Sequence, residues 1–354
     1  MSTALPPTTQ QMRRYFERPE EQLTVLVEHE PVCLYLEVTN RCNLLCTTCP
    51  RTFAELEPEK DMPWDLFVRI VDQVPNLKRA VLHGVGEPML VKNLPQMVRY
   101  LKERSVYVLF NTNGTLLTEA NGQALIDAGL DELRVSLDAA EPSVFQMVRG
   151  KDMFDRIVTN VRRFRAMQRE QGGAGPRVSL WLTGLKETLD QLENFVRIAD
   201  SVDVREVYLQ RLVFFTENSI GLARAESALF ESGVEETEAV IARAVALAES
   251  LGILFNASGA TEPETSIHKR RDDNPWSLCR RPWSLMYFTA NGRSIPCCIA
   301  PFSMHNYDSY TLGDATQQTL REIWNGEAYQ NFREQLMSPE PPRACASCGL
   351  RWSL

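Results

Sequence analysis

The sequence predicts an α/β protein built on a parallel sheet, with a smaller unit at its C-terminus. Two observations carry this. From residue 33 to residue 251, short apolar runs alternate with amphipathic runs, the pattern of β/α units in series. Beyond residue 276 the alternation stops and cysteines return. Hydrophobic residues make up 44% of the 354, enough for a packed core rather than a disordered chain.

Residues 1–29 are polar and read as a short helical extension around Gln10–Glu17. Strands are expected at Cys33–Val38, Ala80–Gly84, Tyr107–Asn111, Glu132–Leu137, Val178–Leu182 and Val204–Leu212. Each is a short apolar run, often β-branched or aromatic, between turn or charged residues. Helices are expected at Trp64–Gln73, Leu94–Glu103, Glu119–Ala128, Phe154–Gln171, Thr188–Asp200 and Glu235–Leu251. In the last, Val240, Ala244, Leu247 and Leu251 recur at helical spacing, a stripe for core packing. Six such units fit a closed or nearly closed barrel and equally an open doubly wound sheet. Periodicity does not separate the two.

Residues 259–275 read as a polar connector between the main unit, 30–258, and a second domain, 276–354. In the second domain, Tyr287–Cys297 reads as a hairpin turning at Asn291-Gly292, and Thr319–Met337 as one helix.

The formal charge is 38 − 46 = −8, which argues against broad electrostatic contact with nucleic acid. Met1–Arg14 lacks the apolar core of a signal peptide, and no apolar run is long enough to span a membrane. Nine cysteines without a secretion signal point to the cytoplasm and to metal ligation rather than disulfides.

Cys42, Cys46 and Cys49 form C-x3-C-x2-C directly after the first strand. Three thiolates this close can converge on one [4Fe–4S] cluster, and three ligands for four irons leave one iron open. A zinc knuckle would need a fourth Cys or His at close spacing, and none lies near.

The motif in this setting resembles the radical S-adenosylmethionine (radical SAM) superfamily. The resemblance implies a partial (β/α)6 TIM-like barrel with its chemistry at the strand C-terminal ends. It also implies that the open iron chelates SAM, that SAM is cleaved to a 5′-deoxyadenosyl radical, and that the radical abstracts hydrogen. An electron donor such as flavodoxin or ferredoxin is an implied partner.

Gly84-Val-Gly-Glu-Pro88 follows the second strand and is similar to the family's GGEP-type segment. Its glycines let backbone approach a ligand closely, and a carboxylate beside them can accept from an ammonium. The resemblance implies that the residues before Glu87 pair with the amino group of SAM. The TNG-, S-x-D- and R-G-like segments then name Asn113, Ser136 and Arg149, the last as partner for the SAM carboxylate. Thr183 and Gln210 end the fifth and sixth strands at the same mouth. Thr48 stands where many members carry an aromatic residue for adenine. No catalytic residue is assigned; His83 and Cys298 are the candidates considered, against bland readings as a hydrogen-bonded histidine and a small buried hydrophobe.

Cys279 and Cys297 stand in C-x12-G-x4-C, and Cys345 and Cys348 in a late C-x2-C. The set is equally a zinc ribbon by spacing alone. It resembles the SPASM/twitch extension of radical SAM enzymes, which implies a second, auxiliary [4Fe–4S] cluster. The spacing is also similar to that of 2-deoxy-scyllo-inosamine dehydrogenase-type enzymes. By that analogy the substrate is expected to be a sugar, aminocyclitol or nucleoside, oxidised to a ketone in natural-product or cofactor biosynthesis. A redox-neutral decarboxylase or epimerase of such substrates is the alternative, which would make the chain a lyase rather than an oxidoreductase. A ribosomal-peptide maturase is a second alternative, disfavoured because residues 1–29 are too short for a peptide-recognition domain. A non-catalytic iron–sulfur electron carrier is a third, and it would not need the Gly84–Pro88 segment.

Overall fold

Parallel strands with helical crossovers make up the first two thirds of the chain, as the alternation of apolar runs requires. The computed structural model describes residues 23–213, 220–229, 234–258, 263, 276, 279–303, 307–346 and 348. The helical extension around residues 10–17 and nearly all of the 259–275 connector lie outside the described residues.

The strands are β1 (Cys33–Leu36), β2 (Arg79–Val81), β3 (Tyr107–Thr112), β4 (Glu132–Ser136), β5 (Arg177–Gly184), β6 (Glu206–Arg211) and β7 (Leu254–Ala257). They pair in sequence order, each parallel to the next. The helices between them are α1 (Trp64–Asp72), α2 (Leu94–Lys102), α3 (Glu119–Asp127), α4 (Pro142–Arg149), α5 (Phe154–Glu170), α6 (Leu192–Ser201) and α7 (Val234–Ser250). Their apolar faces cover one side of the sheet: Phe67, Ile70, Met97, Leu101, Phe164 and Phe195 are all buried there.

The sequence reading missed two of these elements. β7 is a four-residue run that follows α7 after only three residues, too short to stand apart from the helical pattern. α4 was absorbed into the R-G segment, although Pro142 in its first turn and Gly150 beyond its end (φ +75°) are the usual bounds of a helix.

The C-terminal segment joins the same sheet. β8 (Leu285–Phe288) lies parallel to β1, with Cys33 opposite Leu285 and Leu36 opposite Phe288. β9 (Arg293–Ile295) returns antiparallel to β8, and β10 (Gly313–Asp314) pairs antiparallel with β9. Gly292 turns the hairpin at φ +97°, where a residue with a Cβ would be strained. The order is β10-β9-β8-β1-β2-β3-β4-β5-β6-β7, with no ladder between the two outer strands among the described residues. Among the described residues the sheet does not close on itself. β8 was expected only as a hairpin arm, because periodicity says nothing of a partner strand 250 residues away.

A short turn, α8 (Ala300–Ser303), follows the hairpin. The single helix expected over Thr319–Met337 is two, α9 (Leu320–Trp324) and α10 (Glu327–Leu336), broken at Asn325-Gly326. Thr319 and Glu322 close a capping box on α9. These helices grip the start of the described chain. Asn325 exchanges hydrogen bonds with the backbone N–H and carbonyl of Val27 (2.9 and 2.8 Å), and Arg333 donates to the carbonyl of Val25 (3.0 Å). Trp283 and Trp324 donate to Thr24 and His29 carbonyls.

Among the described residues, no helix is long and apolar enough to cross a membrane.

Candidate active site

Because β1–β6 are parallel, the loops after them open on one end of the sheet, and a cleft lies there. The loop after β1 carries Cys42, Cys46 and Cys49, and all three line the cleft. The loop is pinned from several sides. Arg41 forks onto Asp61, and Thr39 donates to the same carboxylate (2.7 Å). Thr52 and Arg51 donate to the carbonyls of Cys46 and Leu44 (2.9 and 2.7 Å). The backbone N–H groups of Leu45 and Thr47 donate to the carbonyls of Arg149 and Val148, tying the loop to the end of α4.

Burial pushes the Cys49 thiol up to about 12, with the neighbouring Cys46 adding to it, and burial raises Cys42 as well. Binding of a metal group there must therefore release protons. A set of thiols alone is a soft donor set, suited to iron–sulfur chemistry. Among the described residues, no three His, Cys, Asp or Glu side chains are spaced to hold a single metal ion.

The segment after β2 is built into the protein more than it is exposed. A Cβ on Gly84 would strike the Glu37 carboxylate and the Tyr287 hydroxyl, and one on Gly86 the carbonyl of Thr39. These glycines are needed for internal packing, and not only for approach to a ligand. Glu87 is likewise committed. Its carboxylate accepts from Thr112 (2.7 Å), the Asn113 N–H (2.6 Å) and the Met89 N–H (3.1 Å). It joins the β2 and β3 loops while still lining the cleft. Asn113 extends the link: its side chain donates to Asn43 (2.7 Å) and lies 3.9 Å from the Cys42 sulfur.

Ser136, Thr183 and Gln210 all line the cleft, as do Gly84, Val85 and Thr48. Arg149 lines it too, but it already has an anionic partner. Its Nη2 is 2.7 Å from Asp138 Oδ2, and its Nη1 is 3.5 Å from the Cys46 sulfur. Burial lowers the guanidinium, but Asp138 and Cys46 outweigh it and hold Arg149 above its ordinary value. Asp138, which sequence reasoning passed over, sits at φ +59° and also accepts from the Thr183 N–H (2.7 Å). An aspartate tolerates that conformation better than most residues.

His83 makes the hydrogen bond that the sequence reading weighed against a catalytic role. Its Nδ1 accepts from the Asn111 N–H (3.0 Å), and burial together with Arg134 and Arg79 lowers it to about 3. Near neutral pH it is held neutral and hydrogen-bonded. Cys298 is half-buried: it lines the cleft and packs against the apolar cluster that contains Cys33 and Tyr35.

A second residue escaped sequence reasoning. Glu37 is fully buried at the end of β1. It accepts from the Val85 N–H (2.9 Å), the Tyr287 hydroxyl (2.9 Å) and the Ala290 N–H (3.3 Å). Burial pushes its carboxyl up to about 7 against those donors.

The remaining cysteine set belongs to the C-terminal segment. Cys297 follows β9, and the Cys348 N–H donates to the Cys345 carbonyl (2.9 Å) in a turn after α10. Burial raises Cys345 well above its ordinary value, with Cys279, Cys297 and Cys348 adding to the rise. The four thiols thus share one electrostatic neighbourhood.

Residues 36–199 match the radical SAM superfamily, and residues 279–349 match SPASM, an iron–sulfur cluster-binding domain. The chain belongs to the radical SAM superfamily. It is a radical SAM enzyme with a SPASM domain, and these domains bring a [4Fe–4S] cluster, SAM and an additional cluster.

Its relatives share low identity over most of their length. The tungsten-containing aldehyde ferredoxin oxidoreductase cofactor-modifying protein of Pyrococcus furiosus is 26% identical over 90% of this chain and 87% of its own. A PqqA peptide cyclase of Granulibacter bethesdensis is 22% identical, covering 91% and 81%. The mycofactocin maturase MftC of Mycolicibacterium smegmatis is 28% identical, covering 90% and 76%. In fold, the chain is similar to Streptococcus suis SuiB bound to its precursor peptide SuiA. The TM-score is 0.68 at 16% identity, over 97% of this chain and 82% of that one. These findings overturn the expected sugar, aminocyclitol or nucleoside substrate, whether oxidised, decarboxylated or epimerised. Cysteine spacing tracks the auxiliary domain, not what the enzyme acts on, and the length of residues 1–29 was no guide either.

Proposed function

We propose that this radical SAM enzyme modifies a ribosomally made peptide. One observation carries the reading: relatives named as peptide cyclase and maturase align with about nine tenths of the chain, across both iron–sulfur domains. Cys42, Cys46 and Cys49 would hold the SAM-binding cluster. Cys279, Cys297, Cys345 and Cys348 would hold the additional one, within a second domain over residues 276–354. When bound, the cluster and SAM supply hydrogen-atom abstraction.

The chain's own residues do the rest. Gly84, Val85, Gly86, Glu87, Asn113, Ser136, Thr183 and Gln210 line the cleft and would contact SAM there. Arg149, steered by Asp138, keeps a cation against the Cys46 thiol. An electron-donor protein is the implied partner.

Co-expression with short peptides encoded beside the gene tests the reading. A peptide mass change that requires Cys46 supports it. Unmodified peptides, together with a SAM-dependent change in a sugar or nucleoside, would overturn it.

A further inference from the structure

Glu37 stands where the two iron–sulfur units meet. Its backbone N–H donates to the Phe288 carbonyl (2.9 Å), continuing the β1–β8 ladder. Its side chain reaches two segments at once. Oε2 accepts from the Val85 N–H, in the loop after β2, and from the Tyr287 hydroxyl on β8. Oε1 accepts from the Ala290 N–H, in the hairpin that runs on to Cys297. All three partners are donors, which suits an ionised carboxylate. Gly84 is bare because this carboxylate and the Tyr287 hydroxyl fill the space of its Cβ.

We infer that Glu37 is a positioning residue whose carboxylate ties the Gly84–Pro88 loop to the Cys297 hairpin, so that SAM binding and the seating of the auxiliary domain are coupled. The inference rests on the reading of Gly84–Pro88 as a SAM-binding loop.

The surroundings make the joint sensitive to protonation. The charged and titratable groups facing Glu37 are Glu57 and the phenols Tyr287, Tyr307 and Tyr310. Glu57 pairs with Arg293 (3.2 Å). On the loop side, His83 is taken up by Asn111, and Glu87 by Thr112 and Asn113. No cation is paired with Glu37 among the described residues. A proton on its carboxyl removes acceptor capacity: the Tyr287 hydroxyl can reverse and accept it, but the Val85 and Ala290 N–H groups can only donate. The longest contact, to Ala290, is the one that weakens first, and the tie between loop and hairpin loosens.

The test compares cluster-loaded wild type, Glu37→Gln and Tyr287→Phe by SAM dissociation constant between pH 6 and 8.5. Iron content and circular dichroism establish that each is folded. The amino group of SAM titrates in the same range, so the comparison is between variants. Across pH 6 to 8, wild type is expected to gain about tenfold in affinity relative to Glu37→Gln, the worth of roughly one net hydrogen bond. Tyr287→Phe removes a donor that favours the ionised form, so its midpoint should move to higher pH. Parallel curves for wild type and Glu37→Gln overturn the inference. If Glu37→Gln does not fold, an unmoved midpoint in Tyr287→Phe overturns it. Binding that is lost in Cys46→Ala, with those parallel curves, overturns the inference alone. Wild type that binds no SAM at any pH overturns the reading of the loop as well.

Discussion

Asp138 holds Arg149 at 2.7 Å, and the other arm of the guanidinium reaches 3.5 Å from the Cys46 sulfur. Both side chains are buried, so neither charge is cheaply left alone. Removal of Arg149 (Arg149→Ala) is expected to cost about 3–5 kcal/mol of stability, because it strands the Asp138 carboxylate. The double variant Asp138→Asn, Arg149→Ala should cost less than the sum of Asp138→Asn and Arg149→Ala made singly. Urea unfolding of the four proteins checks this. Additive costs would mean that the pair is not coupled.

The two cysteine sets should load independently. Replacing Cys42, Cys46 and Cys49 together with alanine should leave about half of the iron, and replacing Cys345 and Cys348 should remove about the other half. Iron analysis after anaerobic reconstitution is the measurement. Full iron in either variant would take those cysteines out of the ligand set. Circular dichroism must accompany it, since a metal site itself supplies folding energy.

At Gly84 there is no room for a methyl group. Gly84→Ala should therefore displace Glu37 or Tyr287 and cost about 1–3 kcal/mol, as overpacking does. The unfolding midpoint reads the cost. An unchanged midpoint would mean that the loop relaxes freely.

His83 bears on acid stability. Its folded value, about 3, lies below the ordinary 6.5, so the folded protein binds fewer protons than the unfolded chain between those values. Its contribution is whole above pH 6.5 and is lost as the pH falls toward 3. In His83→Asn, the asparagine oxygen replaces Nδ1 as acceptor for the Asn111 N–H. The variant should lose less stability than wild type between pH 7 and pH 5. Equal losses in both would show that His83 is not held neutral.

Local pattern made most of the frame legible. Runs such as Tyr107–Asn111 and Val178–Leu182 are β-branched, aromatic and bounded, and they became β3 and β5. Motif cysteines were legible because ligands for one group cluster in sequence. Three further features were not. β8 pairs with β1 across 250 residues, and no local period encodes that. Glu37 reads as one polar residue in an apolar strand until Tyr287 and Ala290 are set beside it. Asp138 needed its backbone conformation and Arg149 in view. The substrate was misread for a related reason: the cysteines that suggested it belong to the SPASM cluster-binding domain, and their spacing reports that domain.

The central claim is that hydrogen is taken from a peptide. Peptides encoded beside the gene, prepared fully deuterated, should be incubated with reduced, cluster-loaded enzyme and unlabelled SAM, and the 5′-deoxyadenosine weighed by mass spectrometry. The account predicts deuterium in 5′-deoxyadenosine together with a modified peptide. Unlabelled 5′-deoxyadenosine with every such peptide, and label appearing only from a deuterated sugar or nucleoside, would contradict it.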